Sequence, residues 1–284
     1  LRHATGDGPE RLAFAARIAR EAGERILRHY GRTGHEMKAG GSPVTAADLE
    51  SNAYLVGAIE AAYPGEPVLA EESSDSSERL GAERLWVVDP LDGTKEFLAE
   101  NGEFSVMIGY VESGRPVLGV VYLPARRLLY AAGSGQGAWS ETADGERRAL
   151  ECVPADASSL RMVGSRSHPD ALLARMERAL DVHDVRPSGS VGIKCALIAE
   201  GDRDVYIHPV PYLKEWDTCA PEVLVREAGG TVSDCLGNPL RYNQAVPTQV
   251  HGIVACAAGV HARVIEIIRP LYEAAHRSEP AGAD

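Results

Sequence analysis

The sequence predicts a fold of mixed α and β structure, and three observations carry that expectation. An amphipathic stretch opens the chain, with Leu12, Ala15, Ala19, Ala22 and Ile26 recurring at helical spacing. Short β-type segments separated by glycine and proline turns fill the region between residues 85 and 132. Beyond residue 158, strand-like and helix-like segments alternate.

Taken in order, the first helix gives way to a second that begins at Asp48 and runs to Tyr63, just before Pro64. Thr45 and Asp48 resemble a capping box, with Asp where Glu or Gln is usual. Val68-Leu69-Ala70 reads as a strand ending at Glu71-Glu72. A buried-type run at 85–88 leads into a proline-containing turn, and a short helix opens at Gly93-Thr94 and runs through Phe97 and Leu98. Residues 104–111 and 117–123 form a hairpin around Gly114-Arg115-Pro116, and 128–132 extends the meander. The glycines of 133–137 lack the G-x-G-x-x-G spacing and lie between strands, so they read as a turn. His168 precedes Pro169 and reads as the cap region of a helix running through Met176. Asp217 lies at the start of a helix carrying Ala220, Val223, Leu224 and Ala228, which stops at Gly229-Gly230. A last helix spans 260–275. A boundary near residue 156 divides an α+β half (1–155) from an α/β half (156–284), with a ligand site expected between them.

The chemistry concentrates in Asp89-Pro90-Leu91-Asp92-Gly93-Thr94. Two carboxylates at a strand-to-helix turn suit hard divalent cations, which take oxygen ligands. Backbone N–H groups at a helix start lack intrahelical partners and can hold a phosphate oxygen. Asp-Pro and Asp-Gly pairs are also ordinary turn chemistry, so the turn alone admits a structural role. The aspartates stand three apart, which excludes a D-x-D phosphatase motif with a nucleophilic first Asp. A two-metal site needs more oxygen ligands. Glu71-Glu72 supplies candidates, of which only one should enter the site, because adjacent strand residues face opposite ways. Asp217 is the other candidate, although it also suits a helix cap.

Ser42-Pro-Val-Thr-Ala-Ala-Asp48, Ala70-Glu-Glu-Ser73, Trp86-Val-Val-Asp-Pro-Leu-Asp-Gly-Thr94 and Trp216-Asp217-Thr-Cys-Ala220 resemble, in order, the motifs of the inositol monophosphatase superfamily. Lys95-Glu96-Phe97, Gly164-Ser165-Arg166-Ser167-His168 and Ser188-Gly189-Ser190 with Lys194 resemble its 3′(2′),5′-bisphosphate nucleotidase branch. The spacer Val191-Gly192-Ile193 and Pro221 depart from that branch. The resemblance implies a layered α-β-α-β-α sandwich of the inositol monophosphatase/fructose-1,6-bisphosphatase type. It implies two or three Mg²⁺ ions held by Glu71, Asp89, Asp92, Asp217 and the Leu91 carbonyl, with inhibition by Li⁺. Glu71 and Thr94, the latter backed by Asp48, would orient a water for direct attack on phosphorus. The substrate implied is a small phosphate ester, adenosine 3′,5′-bisphosphate, a by-product of sulfate assimilation. The alternatives are an inositol, sugar or histidinol phosphate, or a silent protein that binds metal or nucleotide.

Such a nucleotide carries a second phosphate that needs its own clamp. Ser165, Arg166, Ser188, Gly189, Ser190 and Lys194 are the candidates, with Glu215 for hydroxyls or base and Gly93 and Thr94 N–H groups for the reacting phosphate.

The chain's 284 residues, 44% hydrophobic and 25% charged, suit an ordinary globular protein. A net charge of −12 argues against a nucleic-acid polymer as partner. An anionic substrate would therefore depend on bound cations to reverse the local sign. Five scattered cysteines form no C-x-x-C pair, which predicts free thiols and a reducing compartment. No signal-peptide pattern and no 18-residue apolar run is present, so the expected location is cytoplasmic.

Overall fold

The computed structural model describes residues 7–32, 34–38, 43–167 and 170–277. His168 and Pro169 lie outside the described residues, as do residues 39–42 with Ser42. In chain order the elements are α1 (Gly8–His29), β1 (His35–Met37), β2 (Pro43–Thr45), α2 (Ala46–Ala62), β3 (Val68–Ala70), β4 (Arg84–Asp92) and α3 (Thr94–Leu98). The meander follows as β5 (Ser105–Glu112), β6 (Arg115–Leu123), β7 (Leu128–Gly133), β8 (Gly137–Glu141) and β9 (Arg147–Ala149). Then come β10 (Arg161–Ser165), α4 (Ala171–Ala179), β11 (Asp184–Ser188), α5 (Val191–Ala199) and β12 (Val205–His208). The chain closes with α6 (Glu215–Glu227), β13 (Thr231–Ser233), β14 (Ile253–Cys256) and α7 (His261–His276).

β3 through β9 form a seven-stranded sheet in sequence order, antiparallel except for the parallel β3–β4 pair. A second sheet runs β11-β10-β12-β14-β13. Side-chain alternation assigns the faces. Trp86, Val88, Val106, Ile108, Tyr110, Val120 and Tyr122 pack with Leu12, Ile18, Ile26 and Leu55 of α1 and α2. Val87, Met107 and Val121 point the other way, into a core shared with α5, α6 and Tyr206, Ile253 and Ala255 of the second sheet. The outer face of that sheet, with Met162, Val205, Ile207 and Val254, packs on α4 and α7. The layers are therefore α, β, α, β, α, as the family resemblance implied.

α5 lies between two sheets and every one of its residues is buried, which explains why its sequence is apolar on every side except at Lys194. α6 lies close against the first sheet. A side chain at Gly109 would meet Cys219 Sγ at 2.3 Å, and one at Gly119 would meet the Ala220 carbonyl oxygen at 2.4 Å.

Several boundaries differ from expectation for local reasons. α2 begins two residues before Asp48, because Thr45 caps it and Asp48 is the third helical residue. β4 continues past Val88 to Asp92, with a break in register between Asp89 and Asp92. The first turn of the site is therefore a bulge within a strand, the one interior place where Pro90 is tolerated. All five cysteines are buried and free. Among the described residues, no helix is long and apolar enough to cross a membrane.

Candidate active site

The bulge in β4 turns two carboxylates to the same side. Asp89 is buried and accepts the Leu91 N–H at 3.0 Å. Asp92 follows after the break, and Gly93 enters α3 with φ of +96°. That conformation favours glycine, and a side chain there would also meet the Glu103 carbonyl oxygen at 2.9 Å. Thr94 donates its hydroxyl to Asp48 Oδ1 at 3.0 Å, while Asp48 Oδ2 accepts from the Thr45 N–H and hydroxyl at 2.8 and 2.6 Å. Asp48 thus completes the capping box and holds Thr94 at once. The two roles foreseen for it coexist, one on each carboxylate oxygen.

α6 supplies the third aspartate. Asp217 Oδ2 accepts the Lys214 N–H at 2.5 Å, which fixes the carboxylate over the helix start. Asp89, Asp92 and Asp217 each offer an oxygen, and these oxygens lie within 4.8 Å of one another. Burial pushes the Asp89 carboxyl well above the ordinary range, and the charges of Glu71, Asp92 and Asp217 add to it. Asp217 is raised by burial and then by Asp92 and Glu71. For Asp92 burial again raises the value, opposed by the Lys194 charge and by hydrogen bonds from Ser190 and Gly192. Three crowded carboxylates with so little compensating charge form an oxygen-only donor set that fits a hard divalent cation.

Glu71 borders the same cavity but its oxygens lie outside that 4.8 Å cluster. Lys38 donates to Glu71 Oε1 at 2.7 Å and also to Glu72. Of the pair only Glu71 lines the cavity, as expected, but strand alternation is not the reason. The strand ends at Ala70, so both side chains are free to converge on Lys38.

Facing this group is the start of α5. Ser190 caps the helix by accepting the Ile193 N–H at 3.2 Å and donates to Asp92 Oδ2 at 2.5 Å. Its φ of +47° is a strained backbone for a non-glycine residue, of the kind held in place at functional sites. Lys194 is buried, donates to the Ser190 carbonyl at 2.9 Å, and lies over the Tyr206 ring. A cavity of about 610 Å³ joins these walls, lined by Glu71, all three aspartates, Leu91, Gly93, Thr94, Ser165, Gly189, Ser190 and Lys194 among others. A further cavity of about 690 Å³, bordered by Arg115, Asp234, Arg241 and His251, contains none of the predicted groups.

Four of the predicted groups do not line the cavity: Asp48, which stands behind Thr94, and Arg166, Ser188 and Glu215. Arg166 is paired with Glu103, donating to Oε1 at 2.9 Å and through Nε to Oε2 at 3.1 Å. Glu103 also accepts the Gly189 N–H at 2.7 Å, so Arg166 braces the loop from outside. Ser188 is buried and donates to the Gly189 carbonyl. Glu215 is fully buried and accepts the N–H groups of Asn243 and Gln244 at 2.7 and 2.8 Å, holding a distant loop instead of facing substrate. Sequence reading also passed over Tyr212, Lys214 and His208, which do line the cavity. The signal available was position alone, just ahead of Trp216-Asp217 and at a strand end.

Fold and site together define a metal-dependent phosphatase framework, and the chain belongs to the inositol monophosphatase family, whose model matches residues 8–272. The chain is 40% identical over 235 residues to the 3′(2′),5′-bisphosphate nucleotidase CysQ of Escherichia coli K12, covering 81% of this chain and 93% of that protein. Among solved structures it is similar to CysQ from Bacteroides thetaiotaomicron, at 33% identity and TM-score 0.75, covering 87% of this chain and 97% of that one. It is also similar to an IMPase from Thermotoga maritima, at 28% identity and TM-score 0.78, covering 93% and 99%.

Proposed function

We propose that this chain is a Mg²⁺-dependent 3′(2′),5′-bisphosphate nucleotidase that converts adenosine 3′,5′-bisphosphate to AMP and phosphate. The observation that carries the chemistry is the clustering of Asp89, Asp92 and Asp217 within 4.8 Å beside the Thr94–Asp48 hydrogen bond. Similarity to CysQ over 81% of the chain supports the substrate and a role in clearing a by-product of sulfate assimilation.

Asp89, Asp92 and Asp217, with Glu71 and the Leu91 carbonyl, would hold two or three ions. When bound, the ions supply Lewis-acid polarisation and offset charge on the phosphoryl and leaving oxygens. The rest falls to the chain. Thr94 gives its own proton to Asp48, so its oxygen presents lone pairs to a water and aligns that water for in-line attack. Glu71 borders the same cavity and would take the one proton the water loses on attack, for return to the leaving ribose oxygen. Gly93 and Thr94 N–H groups, at the opening of α3, hold a phosphate oxygen. Ser190, by fixing Asp92, keeps the acidic centre at constant spacing.

The test is phosphate release from adenosine 3′,5′-bisphosphate beside inositol 1-phosphate, with Mg²⁺, with EDTA and with added Li⁺. A Mg²⁺-dependent, Li⁺-sensitive preference for the nucleotide is expected. Preference for inositol phosphate would keep the chemistry and overturn the substrate.

A further inference from the structure

A bisphosphate nucleotide has two anionic ends, and only one of them reacts. With Arg166 held by Glu103 outside the cavity, the lysines lining it among the described residues are Lys95, Lys194 and Lys214. Lys95 belongs to the metal turn. Lys194 is buried beneath the Ser190 loop, and the charge it feels most is that of Asp92. Lys214 stands on the other wall, at the mouth of α6.

Lys214 is held on fixed backbone. Residues 213–215 run against 247–249: a bridge joins Lys214 to Thr248, Glu215 donates to the Pro247 carbonyl at 3.0 Å, and Gln249 donates to the Leu213 carbonyl at 2.9 Å. The ammonium donates to Thr248 Oγ1 at 2.7 Å. An ammonium has three donors, so this tether leaves capacity for phosphate oxygens. Its charge reaches the centre, since it counts among the groups that hold down the Asp217 carboxyl. Two residues earlier, Tyr212 is 74% exposed although it borders the cavity, and it is the most exposed of the large hydrophobic residues described. An aromatic face at a cavity mouth is a stacking surface for a base, and such stacking tolerates any base.

We infer that Tyr212 and Lys214 seat the end of the substrate that does not react, with Lys214 taking the second phosphate and Tyr212 the base. The inference rests on the nucleotidase reading and gives it a specificity determinant on α6. Lys214 lies three residues before Asp217, so one helix start holds both the acidic centre and the distal phosphate. The spacing between the two subsites is then set by that segment.

The experiment compares steady-state kinetics of the wild type, Lys214→Gln, Lys214→Arg and Tyr212→Ala on adenosine 3′,5′-bisphosphate, adenosine 3′-monophosphate and inositol 1-phosphate. Losing one charge-assisted hydrogen bond should raise KM for the bisphosphate about ten- to hundredfold in Lys214→Gln, with kcat nearly held. The monophosphate, which lacks the second anion, should change several-fold less, and Lys214→Arg should recover most of the loss. Tyr212→Ala should raise KM for both nucleotides by about fivefold or more, and for inositol 1-phosphate least. Equal losses on all three substrates in Lys214→Gln would overturn the inference, because Lys214 would then act through Asp217. An unchanged KM for the bisphosphate would overturn it too. If the wild type hydrolyses inositol 1-phosphate and neither nucleotide, the nucleotidase reading fails first, before any variant is compared.

Discussion

The two walls of the cavity are built from contacts of different range. On the wall of β4 and α3, Asp89 is held by Leu91 two residues on, and Thr94 is turned by the bulge and helix that enclose it. On the wall of α5, α6 and the second sheet, Ser190 is fixed by Asp92, 98 positions away, and Lys214 by Thr248, 34 away. On the proposed reading, the local wall carries Thr94 and two of the three clustered aspartates. The long-range wall, on the same reading, seats the rest of the substrate and adds Asp217 to the cluster.

The largest test of this contrast is Asp92→Asn. It removes one charge from the cluster and should lower kcat by on the order of 10³ or more, comparable with losing a major electrostatic stabiliser. Its melting temperature in EDTA should change little, because relief of repulsion among the carboxylates is offset by leaving the buried Lys194 without its main counter-charge. Near-normal turnover in this variant would end the metal-ligand assignment. Thr94→Val comes next. It keeps the shape and removes the hydroxyl that Asp48 aligns, so kcat should fall about a hundredfold with KM little moved. A rise confined to KM would place Thr94 in binding and blur the division between the walls.

Glu103→Ala tests the other wall. It strands Arg166 and leaves the Gly189 N–H without this acceptor, which should destabilise the fold by about 1–3 kcal/mol and raise KM more than it lowers kcat. If Arg166→Ala instead raises KM for the bisphosphate alone, without destabilisation, Arg166 swings in to meet substrate and the contrast is wrong for that residue.

The smallest expected effect is in the pH dependence of stability. The carboxyls of Asp89, Asp92, Asp217 and Glu71 are held above the ordinary range in the folded, metal-free protein, by burial first. A raised folded value contributes stability that is complete below the unfolded carboxylate range and is lost as pH rises through the folded value. Glu21, Glu50, Asp75 and Glu103 are shifted down and act in the opposite sense, at lower pH. Melting temperatures in EDTA should therefore fall from pH 5.5 toward pH 8, and saturating Mg²⁺ should flatten or reverse that slope. Parallel slopes with and without the ion would separate the acidic cluster from metal binding.

What could be read from the sequence follows the same division. The α1 stripe, the meander and the Asp89–Asp92 pair were legible because spacing of two, three or four residues encodes them directly, whereas Asp217 was assigned only through the family resemblance. The bulge at Asp89 to Asp92 was only half legible: Pro90 announced a break, but pairing with β5 decided that the strand resumes. Convergence of Glu71 and Glu72 on Lys38 was illegible, because it depends on where β3 stops and on an arm more than 30 residues away. Glu215 looked available beside Trp216-Asp217, yet its carboxylate is taken by two backbone N–H groups that no local pattern announces. Lys214 was missed for the same reason, since its place on the cavity wall comes from pairing of 213–215 with 247–249, and Tyr212 directly precedes that paired segment.

Gly109 and Gly119 are not lining residues of the cavity, yet their close packing against α6 bears on its width. By having no side chain they let α6 lie directly on the first sheet, and α6 carries one of the three oxygens whose mutual reach is 4.8 Å. A single methyl at either glycine would act as a shim under the helix, moving Asp217 relative to Asp89 and Asp92. The gauge of the catalytic gap is thus cut into the middle of the sheet, in the two residues with the least chemistry to offer.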